Sequence, residues 1–131
     1  MADGIPWKRL ESLGVLLVSL HSFLLGLCLL FGTEWILAFA GWGHVDQLFF
    51  PRQSGVFHFI FAAGYWWEYR RHGTIGLLVL AKSCAVVFLL IMYSTEEAWA
   101  VPVSGVIDGL MMVGVVVVNR LAGRANQLSE N

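Results

Sequence analysis

Four ionisable side chains interrupt long apolar runs in this chain: His21, His58, Lys82 and Asp108. A lone charge in hydrocarbon is costly and tends to neutralise itself, so Lys82 and Asp108 are expected to pair. Lys82 lies 11 residues before Tyr93, Asp108 nine after Trp99 and His21 11 before Gly32. At 1.5 Å per residue these depths are about 16, 13 and 16 Å, within roughly one helical turn of each other. His58, six residues after Arg52, is expected nearer the outer face. Such a set could hold the polar part of a small molecule or relay protons. Two histidines on neighbouring membrane helices could also ligate a b-type haem. The plainer alternatives are a structural ion pair that locks two helices and histidines that hydrogen-bond within the core.

Helical spacing adds further candidates. Ser104, Asp108 and Met111 or Met112 fall on one side of their segment, and His58 shares a face with Tyr65 at i+7. Gly14, His21 and Cys28 do the same in the first apolar run. Gly105 and Gly109 make a GxxxG step that permits a close helix approach. Stripes of this kind serve helix packing or line a pocket. Cys28 and Cys84 show no metal or redox spacing. His44-Val45-Asp46 is too short a pattern to specify a metal.

The elements that must position these residues follow from composition. Of 131 residues, 58% are hydrophobic and 13% charged, against about a quarter charged in soluble domains. Soluble enzymes, disordered tails and disulfide-stapled modules are excluded. A net charge of −1 leaves no basic footprint for nucleic acid. Four segments approach the roughly 20 apolar residues that cross a bilayer: residues 12–32, 53–69, 73–93 and 98–119. They lack the two-residue alternation of barrel strands, and lipid-embedded backbone must pair internally. One domain of fold class all-α, a bundle of four transmembrane helices, is expected. The first run is too long for a signal-peptide core and is read as a permanent span.

Six of the eight basic residues (Lys8, Arg9, Arg70, Arg71, Arg120 and Arg124) fall on one side of such a bundle. The positive-inside rule then makes both termini cytoplasmic. Arg52 stands alone on the other side with Glu34, Asp46, Glu96 and Glu97. Aromatic anchors agree: Tyr65, Trp66, Trp67 and Tyr69 at the inner end, Tyr93 and Trp99 at the outer. Residues 33–51 are too apolar for a solvated loop. They are expected either as an interfacial segment with a short amphipathic helix or as an ordered loop over the bundle. Glu96 and Glu97 are expected in the first turn of the last span, capped by Ser94 or Thr95, with Pro102 early in that helix. The polar tail after residue 122 is expected to fray.

No nucleophile elbow, phosphate loop or HExxH is present, and no catalytic residue is assigned. Arg52-Gln53-Ser54-Gly55 opening the second span, Arg70-Arg71 in the inner loop and Ser104-Gly105-x-x-Asp108-Gly109 in the last span form a recognisable layout. It resembles small bacterial DoxX-like membrane proteins over nearly the whole chain. The resemblance implies a bacterial inner-membrane four-helix protein, from a family that includes subunits linked to quinone-coupled sulfur oxidation. The expected function is a non-catalytic accessory subunit or small-molecule-binding bundle, with the lipid bilayer, other membrane subunits or a second copy as partners. The alternative is a redox subunit exchanging protons with a quinone through the same patch. A channel or transporter is disfavoured, since no broken-helix repeat is visible.

Overall fold

The computed structural model describes residues 6–129 and contains five helices and, among these residues, no strand. They are α1 (Trp7–Phe31), α2 (Thr33–Phe39), α3 (Phe49–His72), α4 (Gly76–Met92) and α5 (Ala100–Ser129). The all-α expectation holds. Two helices, α1 and α5, are long and apolar enough to cross a membrane. Only 28% of the most apolar stretch of α1 and 11% of that of α5 is buried, whereas the core helix of a soluble protein would be mostly covered. This favours a membrane protein. The other two long helices are less decisive: α3 mixes Arg52, Gln53 and His58 into its apolar run, and α4 has 17 residues, about 26 Å.

Several boundaries differ from the sequence expectation. α3 starts four residues before Gln53, because Pro51 sits in its first turn, where a missing N–H costs nothing. α5 runs on to Ser129, so the tail expected to fray is helical through that residue. Glu96 and Glu97 precede α5 and do not occupy its first turn. Ser94 and Thr95 hydroxyls donate back to the Ile91 and Met92 carbonyls, at 2.9 and 3.1 Å, and so finish α4 rather than cap α5. Pro102 does lie in the first turn of α5.

Within residues 33–51, α2 is a seven-residue helix, a loop tied to the start of α5 follows it, and the last three residues open α3. The Trp99 indole donates to the Phe39 carbonyl (2.8 Å), the Ala100 amide to the Ala40 carbonyl (3.2 Å) and the Trp42 indole to Glu96 (3.1 Å). On the other flank, Arg52 Nε donates to the buried Thr33 hydroxyl at 3.3 Å.

The long helices share one core. α1 lies against α3 and α5, and α4 closes the circuit by contacting α5 and α3. Val15 and Val18 from α1, Tyr65 from α3, Leu78 from α4 and Val115 from α5 form the buried centre. Outward, every long helix exposes large apolar side chains, among them Leu17, Ile60, Leu90 and Leu110.

The α3–α4 corner is built for a sharp reversal. Gly73 ends α3 in the left-handed region (φ 67°), a conformation a Cβ disfavours, and Arg70, Arg71 and His72 complement the helix C-terminus. The Glu68 carboxylate then accepts from the Thr74 hydroxyl (2.8 Å) and from the Gly76 and Leu77 amides (3.1 and 2.9 Å). It thereby satisfies two orphan donors at the start of α4. Glu68→Ala should lower stability by about 1–2 kcal/mol, with Glu68→Gln intermediate. Thermal unfolding in detergent checks the ranking, and an unchanged Glu68→Ala protein would remove this role.

Candidate functional site: a polar layer shared by four helices

The register between helices can be read from their closest contacts. A carbon added at Gly14 would stand 3.5 Å from Val115, so these two residues face each other across α1 and α5. Seven residues along each antiparallel helix return to the same face two turns away. On α1 that step reaches His21 and on α5 it reaches Asp108. The two side chains therefore lie level on facing sides. A second contact sets α3. Gly26 and Gly55 meet backbone to backbone: a carbon added at either would stand 2.9 Å from the other's carbonyl oxygen. His21 is five residues inward of this crossing on α1 and His58 three residues inward on α3, a depth difference of about 3 Å. His58 stays on the outer side as the sequence suggests, but the gap narrows to about 3 Å because α3 starts earlier than the charge pattern suggests.

Lys82 on α4 completes the layer. Its Nζ donates to Asp108 Oδ1 at 2.5 Å, and the two side chains are 5% and 14% exposed. The expected ion pair is present. His21 and His58 lie within electrostatic range of both charges and of each other, and Tyr65 lies within range of Asp108. Each long helix thus contributes one ionisable group at a common depth. One group is incompletely satisfied: His21 Nδ1 is buried with no hydrogen-bond partner. The Ser19 hydroxyl, on the same helix, is also buried and unpaired.

The remaining sequence candidates fall around this layer. Ser104 is half-buried one turn outward of Asp108. Met112, one turn inward, accepts a hydrogen bond from the Ser83 hydroxyl at 3.0 Å. Tyr65 is 3% exposed and belongs to the aliphatic core on the inner side. Gly105 and Gly109 face α4, but carbons added there would be 3.5 Å from Leu89 and 3.9 Å from Val86, ordinary contact distances. The close approach lies at Gly26 and Gly55 instead. Cys28 and Cys84 are free thiols. His44 and Asp46 pair at 3.1 Å on the exposed loop, and no group of three potential metal ligands occurs among the described residues.

A haem held by His21 and His58 does not fit. Packed helices ordinarily stand about 8–10 Å apart, and a porphyrin between two imidazoles needs more. Here α1 and α3 touch backbone to backbone within one and a half turns of both histidines.

Sequence reading missed a second polar cluster, toward the end of the bundle where α1 begins and α5 ends. Glu11 is fully buried and accepts from Lys8 Nζ at 2.8 Å and from Asn119 Nδ2 at 2.6 Å. It fastens the start of α1 to the far half of α5. The hydrogen bond to Glu11 raises the Lys8 pKa above its usual value, burial opposing it. The bond is therefore intact at neutral pH, and its contribution fades only as pH climbs through that raised value. The signal was available: Glu11 continues the buried stripe of Val15, Val18, Ser22 and Gly26 at three- and four-residue steps. A groove of about 280 Å³ between α1 and α5 runs past Glu11, Gly14, Val18 and Met111, inward of the polar layer.

No family model, curated protein or solved structure matches the chain.

Proposed function

We propose that this is an integral membrane protein whose four long helices all span the bilayer, with both termini cytoplasmic. Its role on this reading is a non-catalytic small-molecule-binding bundle or accessory subunit. One observation carries the binding role. Four helices bring one ionisable side chain each to a single depth, where Lys82 and Asp108 satisfy each other while His21 Nδ1 stays open. A purely structural pair would not need two histidines beside it, and a buried open imidazole nitrogen suits a ligand oxygen or N–H. The apolar side chains exposed on every long helix support four spans, as does the basic residues' distribution. Membership among DoxX-like bacterial inner-membrane proteins belongs to this proposal and rests on the layout of the same residues.

A second reading, a redox subunit exchanging protons with a quinone, is favoured by the same open imidazole nitrogen, which can give or take a proton beside a charged pair.

The test is recovery from carbonate-washed membranes, then native mass spectrometry in mild detergent. Wild type should carry a co-purifying small molecule that Lys82→Met/Asp108→Leu and His21→Leu lose; a quinone selects the second reading. A protein found in the soluble fraction defeats the membrane reading. Wild type and variants with the same empty mass defeat the binding reading.

A further inference from the structure

The inner end of the α1–α3 seam carries cations whose acidic neighbours are engaged by other partners. Glu11 is fully buried on Lys8 and Asn119, and Glu68 is taken up by Thr74 and the first amides of α4. These are the two acidic residues described at this end, and neither forms an ion pair with Arg9 or Arg70. Arg9 and Arg70 are both exposed.

Their positions on the seam follow from one aromatic contact. Phe23 of α1 and Phe59 of α3 meet with ring centroids 5.1 Å apart, and Phe23 is 44% exposed, so this contact marks the outward side of the seam. Steps of seven and 14 residues inward from Phe23 keep that face and reach Leu16 and Arg9; steps of seven and 11 from Phe59 reach Trp66 and Arg70. The Arg9 and Arg70 backbones lie about 21 and 17 Å inward of the aromatic contact, within one helical turn of each other. The Arg70 guanidinium is held 5.7 Å over the Trp66 ring, and Arg71 stacks 6.0 Å over the exposed Trp67 beside it. A guanidinium lying on an indole keeps its N–H edge free for an oxyanion.

We infer that this seam binds an anionic phospholipid of the cytoplasmic leaflet, its phosphate between Arg9 and Arg70 and one acyl chain along Leu16, Phe23 and Trp66. The inference rests on the membrane reading above. Charge complementarity selects the occupant: apolar side chains line the seam, and two basic groups close it at headgroup level. An apolar protein segment would leave those guanidiniums unpaired.

The protein, purified in mild detergent, is equilibrated with equal amounts of phosphatidylglycerol and phosphatidylcholine of the same chains, and bound lipid is counted by native mass spectrometry. Wild type should retain phosphatidylglycerol preferentially. Arg9→Gln/Arg70→Gln should lower that preference about fivefold for each arginine removed. Arg120→Gln/Arg124→Gln, the same charge change on α5, should leave it. The single Arg70→Gln variant, losing about fivefold, keeps the test open should the double variant fail to fold. No preference in wild type, or equal losses from both double variants, would overturn the seam. A protein that extracts from membranes as an integral protein yet shows no lipid preference defeats this inference alone.

Discussion

Lys82→Met by itself should destabilise the protein by about 3–5 kcal/mol, the usual penalty for stranding one member of a buried pair. The same substitution combined with Asp108→Leu should cost far less. The geometry explains the difference. Asp108 is 14% exposed, and Lys82 Nζ at 2.5 Å is its hydrogen-bond partner. Removing the ammonium leaves a carboxylate that must stay charged in an apolar setting or take up a proton, and both are unfavourable. Removing both groups leaves two helices in apolar contact through Leu78, Val86 and Leu89. Thermal unfolding of the three proteins in one detergent measures the coupling directly. Equal destabilisation of single and double variants would show that the pair does not act as a unit. If the double variant is stable but has lost its co-purifying molecule, the pair serves the site more than the fold.

Gly26→Ala and Gly105→Ala should move stability in opposite directions although both lie within helices. At Gly26 the new methyl carbon would stand 2.9 Å from the Gly55 carbonyl oxygen and 3.3 Å from the His58 and Phe59 side chains. Backbone cannot give way as a flexible side chain can, so α1 and α3 must separate, at a cost of about 1–3 kcal/mol. His58 sits one turn from that crossing, so the polar layer should loosen as well, and any bound molecule should be retained less. At Gly105 the nearest atoms are 3.5 Å away on Leu89, an ordinary contact. There the change should be neutral or stabilising by up to about 1 kcal/mol, the helix-propensity difference between glycine and alanine. The two variants are compared by unfolding midpoint under identical conditions. A tolerated Gly26→Ala would remove the close crossing, and with it the register that brings His21 and His58 within about 3 Å in depth.

The pattern of exposed and open groups separates roles within the site. Lys82 and Asp108 are mutually satisfied, which suits a structural lock, and His21 Nδ1 is not. His21 is therefore the residue whose substitution should affect ligand retention with the least effect on stability, since it gives up no hydrogen bond at Nδ1. Glu11 behaves in the opposite way. It has two partners and no exposure, so its loss should unfasten α1 from α5 without touching the polar layer, which lies ten residues further along α1.

Much of this protein is legible in one dimension. Apolar runs of helical length, six basic residues on one side and two opposite charges at matching depth follow from composition and spacing, because hydrocarbon penalises every unpaired polar group. That physics ties Lys82 to Asp108 from spacing alone, and the pair stands at bonding distance. The spacing of small residues was less reliable. Gly105 and Gly109 form the familiar four-residue step, yet the close crossing uses Gly26 and Gly55, single glycines on two different helices. A step within one helix says that a close approach is sterically allowed, and only the partner's backbone decides where it occurs. Helix ends were misplaced for a related reason. The charge of Arg52 suggested a membrane edge, while α3 begins three residues earlier, its Arg52 folded onto Thr33. The sequence by itself determined which residues cannot face lipid unpaired. The tertiary structure alone decided that His21 and His58 share the depth of that ion pair, because interhelical register is set by contacts such as Gly14–Val115 and Gly26–Gly55 between residues far apart in the chain.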